Sequence, residues 1–258
     1  MKTHSHPIRP ALTTSARCFF VMAFGALSAV AQSSVSLGAS GSFAVLGGSA
    51  VTDAGGSVFF GDVGVSPGTS ITGIDGSSVS GGSIHINDSL AMQAHTDAEA
   101  AYNTLAGLDS DFTLISAELG GLILVPGVYA MADSAQITGN LTLDGFGYVN
   151  PEWVFQITST LTTGSDSNIF AINGANSSNI FFQVGTSATL GSGTDFVGNI
   201  LADQSISTTS GTTVTGRLLA INAAVTLDGT AVMIPESSAS ALTAISICGL
   251  LFSRRRDR

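Results

Sequence analysis

Cysteine, basic charge and aromatic side chains are all scarce in this sequence, and each scarcity excludes something. The two cysteines, Cys18 and Cys248, fall in the end segments. The chain between them therefore has no disulfide and no thiol chemistry. Of the eight basic residues, Lys2, Arg9 and Arg17 precede residue 32, and Arg254, Arg255, Arg256 and Arg258 close the chain. Arg217 alone lies between, against sixteen acids, so the body carries a net charge of about −15. An acidic body with one cation cannot grip phosphates, which excludes nucleic acid as a partner. Long apolar runs are missing too. The longest run near the C-terminus, Ala239 to Phe252, falls short of the roughly 20 residues of a permanent membrane span.

What remains is glycine, serine, threonine and small apolar residues. Thirty-one glycines with only 10% charged residues make the chain too apolar to be disordered and too glycine-rich for a helical bundle. Many short strands and turns are the natural reading. The first 31 residues place Lys2, Arg9 and Arg17 before the apolar run CFFVMAFGALSAV and the triplet Ala29-Val30-Ala31, the order of a secretory signal peptide. The mature chain is expected to begin at Gln32, with a body over 32–233 and a separate tail over 234–258.

From Gly139 onward the sequence alternates: NLTLDG, VFQITSTLTTGSD, SNIFAING, NIFFQVGTSATLGSG, NILADQSISTTSG, RLLAINAAVTLDG. Apolar residues at every second place, punctuated by Gly, Asn and Asp, read as strands and turns. The stretch GTDFVGNILA at Gly193 recurs eighteen residues later as GTTVTGRLLA at Gly211, and a looser copy, GSVFFGDVGV, begins at Gly56. An eighteen-residue period accommodates three short strands and their corners, so each copy reads as one coil of an all-β solenoid. Phe196, Val214, Ile200 and Leu218 should face inward, with Gly198 and Gly216 at a tight corner.

One segment breaks this pattern. Between Asn87 and Gly107, Leu90, Ala94, Ala98, Ala101 and Leu105 recur at helical spacing, Asn87 or Asp88 can cap the start, and Gly107 can end it. A stripe of alanines lets this helix lie close along one side of the solenoid.

Catalytic motifs are weak. Gly64-Val65-Ser66-Pro67-Gly68 matches a nucleophile elbow, but the required helix does not follow, and a turn is the better reading. His85, Asp88 and His95 lack a metal-ligand spacing, and Asp144, Asp166, Asp195 and Asp228 have no basic partner except Arg217. The sequence calls for no enzyme, no cofactor and no metal.

The hydroxyl-bearing residues are more informative, because a strand sends alternate side chains to one face. Thr160 and Thr162, Ser187 and Thr189, Ser205, Ser207 and Thr209, Ala224 and Thr226, with Asn140 and Thr142 upstream, should all face outward. An ordinary solvent face uses Lys, Glu and Arg freely. This one carries methyls and hydroxyls, a grid able to hold ordered water.

LGASGSFAVLGGSAVTDAGG, GDVGVSPGTSITG, IHINDSLAMQAHTDAEAAYN, LGGLILVPGVYAM, WVFQITSTLTT, FFQVGTSATLGSGTDFVGNILA and GTTVTGRLLAINAAVTLDG together resemble the bacterial and fungal ice-binding proteins of the DUF3494 type, over nearly all of Val35 to Val232. The resemblance implies an irregular three-sided β-helix with one long α-helix packed alongside and N-terminal coils stacked out of chain order. It also implies a flat Thr/Ser/Ala-rich side that adsorbs to ice. The outward set matches that side, with Ala50 and Thr52 as further candidates. Asp53, Asp228 and Gly191, standing where other residues would serve ice better, are expected to weaken it. The alternative is a cell-surface adhesin or matrix protein using the same solenoid. The tail, with Pro235-Glu236, a short apolar stretch and an arginine cluster, resembles a PEP-CTERM sorting signal, although Ser237 departs from its pattern. It implies transient membrane contact before processing, and the body is expected to be a monomer.

Overall fold

The computed structural model describes residues 35–235, so the signal-peptide and sorting-tail readings lie outside the described residues. A strand of three to five residues cannot bury a face by itself, and here each one does so by stacking on the next coil. The pairings are parallel and in register. Strands Asp195–Ala202 and Thr213–Ala220 lie side by side, with Phe196 opposite Val214, Gly198 opposite Gly216 and Ile200 opposite Leu218. The eighteen-residue repeat is therefore one turn of the solenoid. Each strand bends at its glycine, where φ is +131° and +155°. A Cβ on Gly216 would lie 1.8 Å from the Gly198 carbonyl oxygen, so no other residue fits that corner.

This bend divides a fifteen-stranded sheet between two sides of the solenoid, and a separate seven-stranded sheet makes the third side. The looser copy belongs to the same stack. Strand Val58–Phe60 pairs with Ala231–Met233, which pairs with Thr213–Thr215, and Gly61, at φ +134°, turns the same corner.

Coils do not follow chain order. They climb from strand Phe112–Leu114 up to Ala231–Met233, the last strand among the described residues. The first strand, Phe43–Gly47, then sits between Thr213–Ala220 and Asp62–Val65, so the two ends of the described chain complete neighbouring parts of the stack. The helix Ser89–Ala106 carries the chain from strand Ile84–Ile86 back to Phe112–Leu114. Its 18 residues span about 27 Å.

Aromatic rings fill the middle of the stack, with centroids 4.9 Å apart for Phe112 and Tyr129, 5.5 Å for Tyr129 and Phe155, 4.6 Å for Phe155 and Phe182, and 4.9 Å for Phe182 and Phe196. Phe196, Val214, Ile200 and Leu218 are buried in this core, as the alternation predicts. The helix closes a second core against Phe43, Leu46, Val154, Phe181, Leu201 and Leu219. Asp88 caps it by accepting from the Ala91 amide at 2.8 Å. Its buried stripe is Ala91, Ala94, Ala98, Ala101 and Leu105, whereas Leu90, expected in the stripe, is 38% exposed. The steps of three and four that follow Ala91 track the helical period more closely than a start at Leu90 does.

Arg217 ties the N-terminal turn Gly38–Ser42 to this scaffold. Its Nε and Nη2 donate to the Gly41 carbonyl at 2.9 and 2.7 Å, and Nη1 donates to Asn199 Oδ1 at 2.8 Å. Burial pulls its pKa down to about 10.

Candidate functional site

The seven-stranded sheet carries a continuous row of outward hydroxyls. Its strands run in the order Ala135–Ile137, Leu161–Thr163, Ala188–Leu190, Ile206–Thr208, Val225–Leu227, Ala50–Asp53 and Ser70–Thr72. Leu161, Ala188, Ile206, Val225 and Val51 point inward and are fully buried or nearly so. That fixes the residue after each of them outward, because neighbours on a strand face opposite ways. The register aligns these outward residues into one column: Gln136, Thr162, Thr189, Ser207, Thr226, Thr52 and Thr72.

Two residues earlier on each strand runs a second column, which includes Thr160, Ser187, Ser205, Ala224 and Ala50. Here the hydroxyls bond along the stack. Thr160 donates to Ser134 Oγ at 2.9 Å and Ser205 to Ser187 Oγ at 3.0 Å. Thr209, on the other flank, donates to the Leu190 carbonyl at 3.0 Å. In the central column, by contrast, Thr162, Thr189, Ser207, Thr226, Thr52 and Thr72 make no side-chain hydrogen bond among the described residues. Strand geometry spaces that column by about 4.8 Å between coils and about 6.6 Å from its flanks. The flanking hydroxyls of Thr160, Ser205 and Thr209 are thus bonded within the protein, and those of the central column are not.

Several sequence expectations change. Asn140 and Thr142 do not join the other nine. Strand Asn140–Asp144 pairs with Ile123–Leu124 and Asn168–Ile172, on another side of the solenoid. Asn140 accepts from Asn168 Nδ2 at 3.2 Å. The strand alternates like the rest, and alternation does not say which side of a coil it occupies. Asp53, expected to mar the surface, faces inward at 6% exposure and accepts from the Ser57 amide at 2.8 Å and its hydroxyl at 2.6 Å. Gly191 has no room for a threonine, since a Cβ there would lie 2.7 Å from the Thr163 carbonyl oxygen. Asp228 is exposed beyond the strand end, as the sequence suggests. Ser70, Thr72, Ser134 and Gln136 went unread. The upstream repeat signal is too degenerate to show their register.

The other motifs do not converge on a site. Ser66 donates to Asn87 Oδ1 at 3.0 Å and not to a histidine. His85 meets Asp88 at 2.8 Å, but His95 Nε2 lies 2.8 Å from the Ile221 carbonyl oxygen, on the helix-covered side. Among the described residues no three His, Cys, Asp or Glu side chains are grouped to hold a metal.

A family model described as Ice-binding-like matches residues 45–233. An ice-binding protein of Nostoc sp. (strain HG1) is 52% identical over 173 residues, which cover 67% of this chain and 64% of that protein. This chain thus matches just under two thirds of that relative's length. An ice-binding protein of Leucosporidium sp. (strain AY30) is 36% identical over 194 residues, 67% of this chain and 74% of its own. The crystal structure of an ice-binding protein from the Antarctic ascomycete Antarctomyces psychrotrophicus aligns with a TM-score of 0.76 at 40% identity, covering 80% of this chain and 100% of that one. Matched by that family model over residues 45–233, the chain belongs to the Ice-binding-like family.

Proposed function

We propose that this protein is exported, binds ice through its seven-stranded sheet and limits ice growth or recrystallisation outside the cell, without catalysis. The observation that carries this is the central column of unbonded hydroxyls at fixed spacing. Water adsorbing there meets donors, acceptors and γ-methyls already in place. Each strand is held by its neighbours and by the core beneath, so little side-chain entropy is lost on binding. The nine outward residues Thr160, Thr162, Ser187, Thr189, Ser205, Ser207, Thr209, Ala224 and Thr226, with Thr52, Thr72 and Ala50, form the contact surface. Ice advancing between adsorbed molecules must curve, and curvature lowers its local freezing point.

Thr189→Tyr and Thr226→Tyr each raise a ring from this plane, while Thr96→Tyr places the same ring on the exposed helix surface. The first two should abolish most freezing-point hysteresis and crystal shaping. All three should leave stability within about 0.5 kcal/mol of the parent. Loss of hysteresis in Thr96→Tyr with retention in the other two would place the ice-contacting surface elsewhere.

A further inference from the structure

The side of the solenoid that bears neither the helix nor the hydroxyl column is unexpectedly apolar. Ile123 is 68% exposed, Phe170 and Phe60 are each 46%, Val58 45% and Ile172 40%. Carried two residues on from the Asn168–Asp195 pair, the register lines up its middle column as Phe170, Val197, Thr215, Met233 and Phe60. Thr142 precedes Phe170 and Ser80 follows Phe60. From Thr142 to Ser80 the order is close to a palindrome about Thr215, with an apolar residue at one step on either side, phenylalanine at two and a hydroxyl at three; Ile123, beyond Thr142, lies outside it.

We propose that this side pairs with the same side of a second copy, about a two-fold axis lying in the interface, parallel to the strands, at Thr215. Rotation about that axis reverses the order of coils and keeps the strand direction. Phe170 of one copy then meets Phe60 of the other, Val197 meets Met233, and Thr142 meets Ser80. A self-complementary patch of this kind is what an isologous contact needs.

Charge supports the same occupant. In a body of about −15, two acidic faces would ordinarily repel. On this side, however, Asp195 sits in the row of Thr213 and Ala231, and the two-fold places it against Ala231. Asp144, two residues beyond Thr142, falls against Gly82, two residues beyond Ser80. Neither carboxylate meets a carboxylate. The seven coils from Thr142 to Ser80 extend about 29 Å at strand spacing. A face of that length and three side chains wide buries several hundred Å² per copy, toward the lower end of the ~800 Å² typical of stable pairs. Association is accordingly weak and reversible, and it leaves the hydroxyl column uncovered.

Sedimentation velocity of the full-length chain from about 1 µM to about 1 mM tests this directly, since weak pairs dissociate within that range. The parent should shift from monomer to dimer with concentration. Phe60→Glu and Phe170→Glu should each weaken pairing at least about tenfold with unchanged melting temperature. The double variant Phe60→Glu with Phe170→Lys should recover it. Within one copy these two positions are four coils, about 19 Å, apart, so recovery can only come from contact between copies. A parent that stays monomeric throughout overturns the proposal. So do pairing indifferent to both glutamates, single variants that dissociate without recovery in the double variant, and a monomeric chain retained on crystalline chitin, which would give the face to a glycan.

Discussion

Glu152 gives the fold a measurable pH dependence. It lies between Pro151 and the fully buried Trp153, is itself 4% exposed, and its Oε1 has no hydrogen-bond partner among the described residues. Burial without a compensating bond disfavours the charged carboxylate and raises its pKa from 4.5 to about 7. Below pH 4.5 the group is protonated in both folded and unfolded chains and its titration contributes nothing to stability. As pH rises from 4.5 to 7 the unfolded chain ionises first, so the folded state loses about 1.4 kcal/mol per pH unit. Above pH 7 the loss levels off at about 3 kcal/mol. Glu152→Gln keeps the shape and removes the titration. Thermal unfolding of parent and variant between pH 4.5 and 8 should give curves that converge in steepness at the acid end and separate toward pH 8. For a body of this size the variant's relative melting temperature should rise by about 6–10 °C across the window. Parallel curves would mean that the carboxylate is solvated or bonded in the folded protein, and the desolvation argument fails.

Other parts of the molecule carry their own tests. Arg217→Leu leaves the Gly41 carbonyl and Asn199 Oδ1 without their donors and should cost about 3 kcal/mol in chemical denaturation, releasing the turn Gly38–Ser42. Gly191→Thr, which adds a hydroxyl to the contact surface on paper, should instead destabilise by about 1–3 kcal/mol because its Cβ strikes the Thr163 carbonyl. A chain ending at Pro235 should melt where the full chain does, since Ala231–Met233 is the last strand in chain order among the described residues; a large drop would make the tail part of the fold. Treatment with a chelator should leave both melting and freezing-point hysteresis unchanged.

Much of this architecture was legible where repetition made it so. GTDFVGNILA and GTTVTGRLLA differ at several positions but keep both glycines and the apolar sites, because stacking demands the same bend and the same inward volume in each coil. Their eighteen-residue offset is the observed register. Alternation likewise identified nine outward residues of the hydroxyl side. It could not assign Asn140 and Thr142 to a side, since each coil has three and the period of two is common to all of them. It also missed Ser70 and Thr72, which join the sheet only because the N-terminal strands are seated on the last coil. That adjacency is set by chain ends far apart in sequence, and no local pattern encodes it.

The scarcity of charge needs a similar separation of causes. In-register stacking brings identical positions to within about 4.8 Å of each other. A ladder of like charges there would be opposed by about 1 kcal/mol per step even in bulk water. Every side of a solenoid is therefore poor in charged columns, whatever it does. What stacking does not decide is which uncharged residues fill a column. On the side holding Phe170, Val197, Met233 and Phe60 the outward column mixes these apolar residues with Thr142, Thr215 and Ser80, while on the seven-stranded sheet the equivalent positions are all hydroxyl-bearing from Thr162 on: Thr162, Thr189, Ser207, Thr226, Thr52 and Thr72. Both columns satisfy the same backbone and the same strand propensity, because β-branched and aromatic residues suit a pleated surface equally well. The contrast between two sides built under one constraint, and not the absence of charge as such, is what supports the proposed assignment of the hydroxyl column to ice.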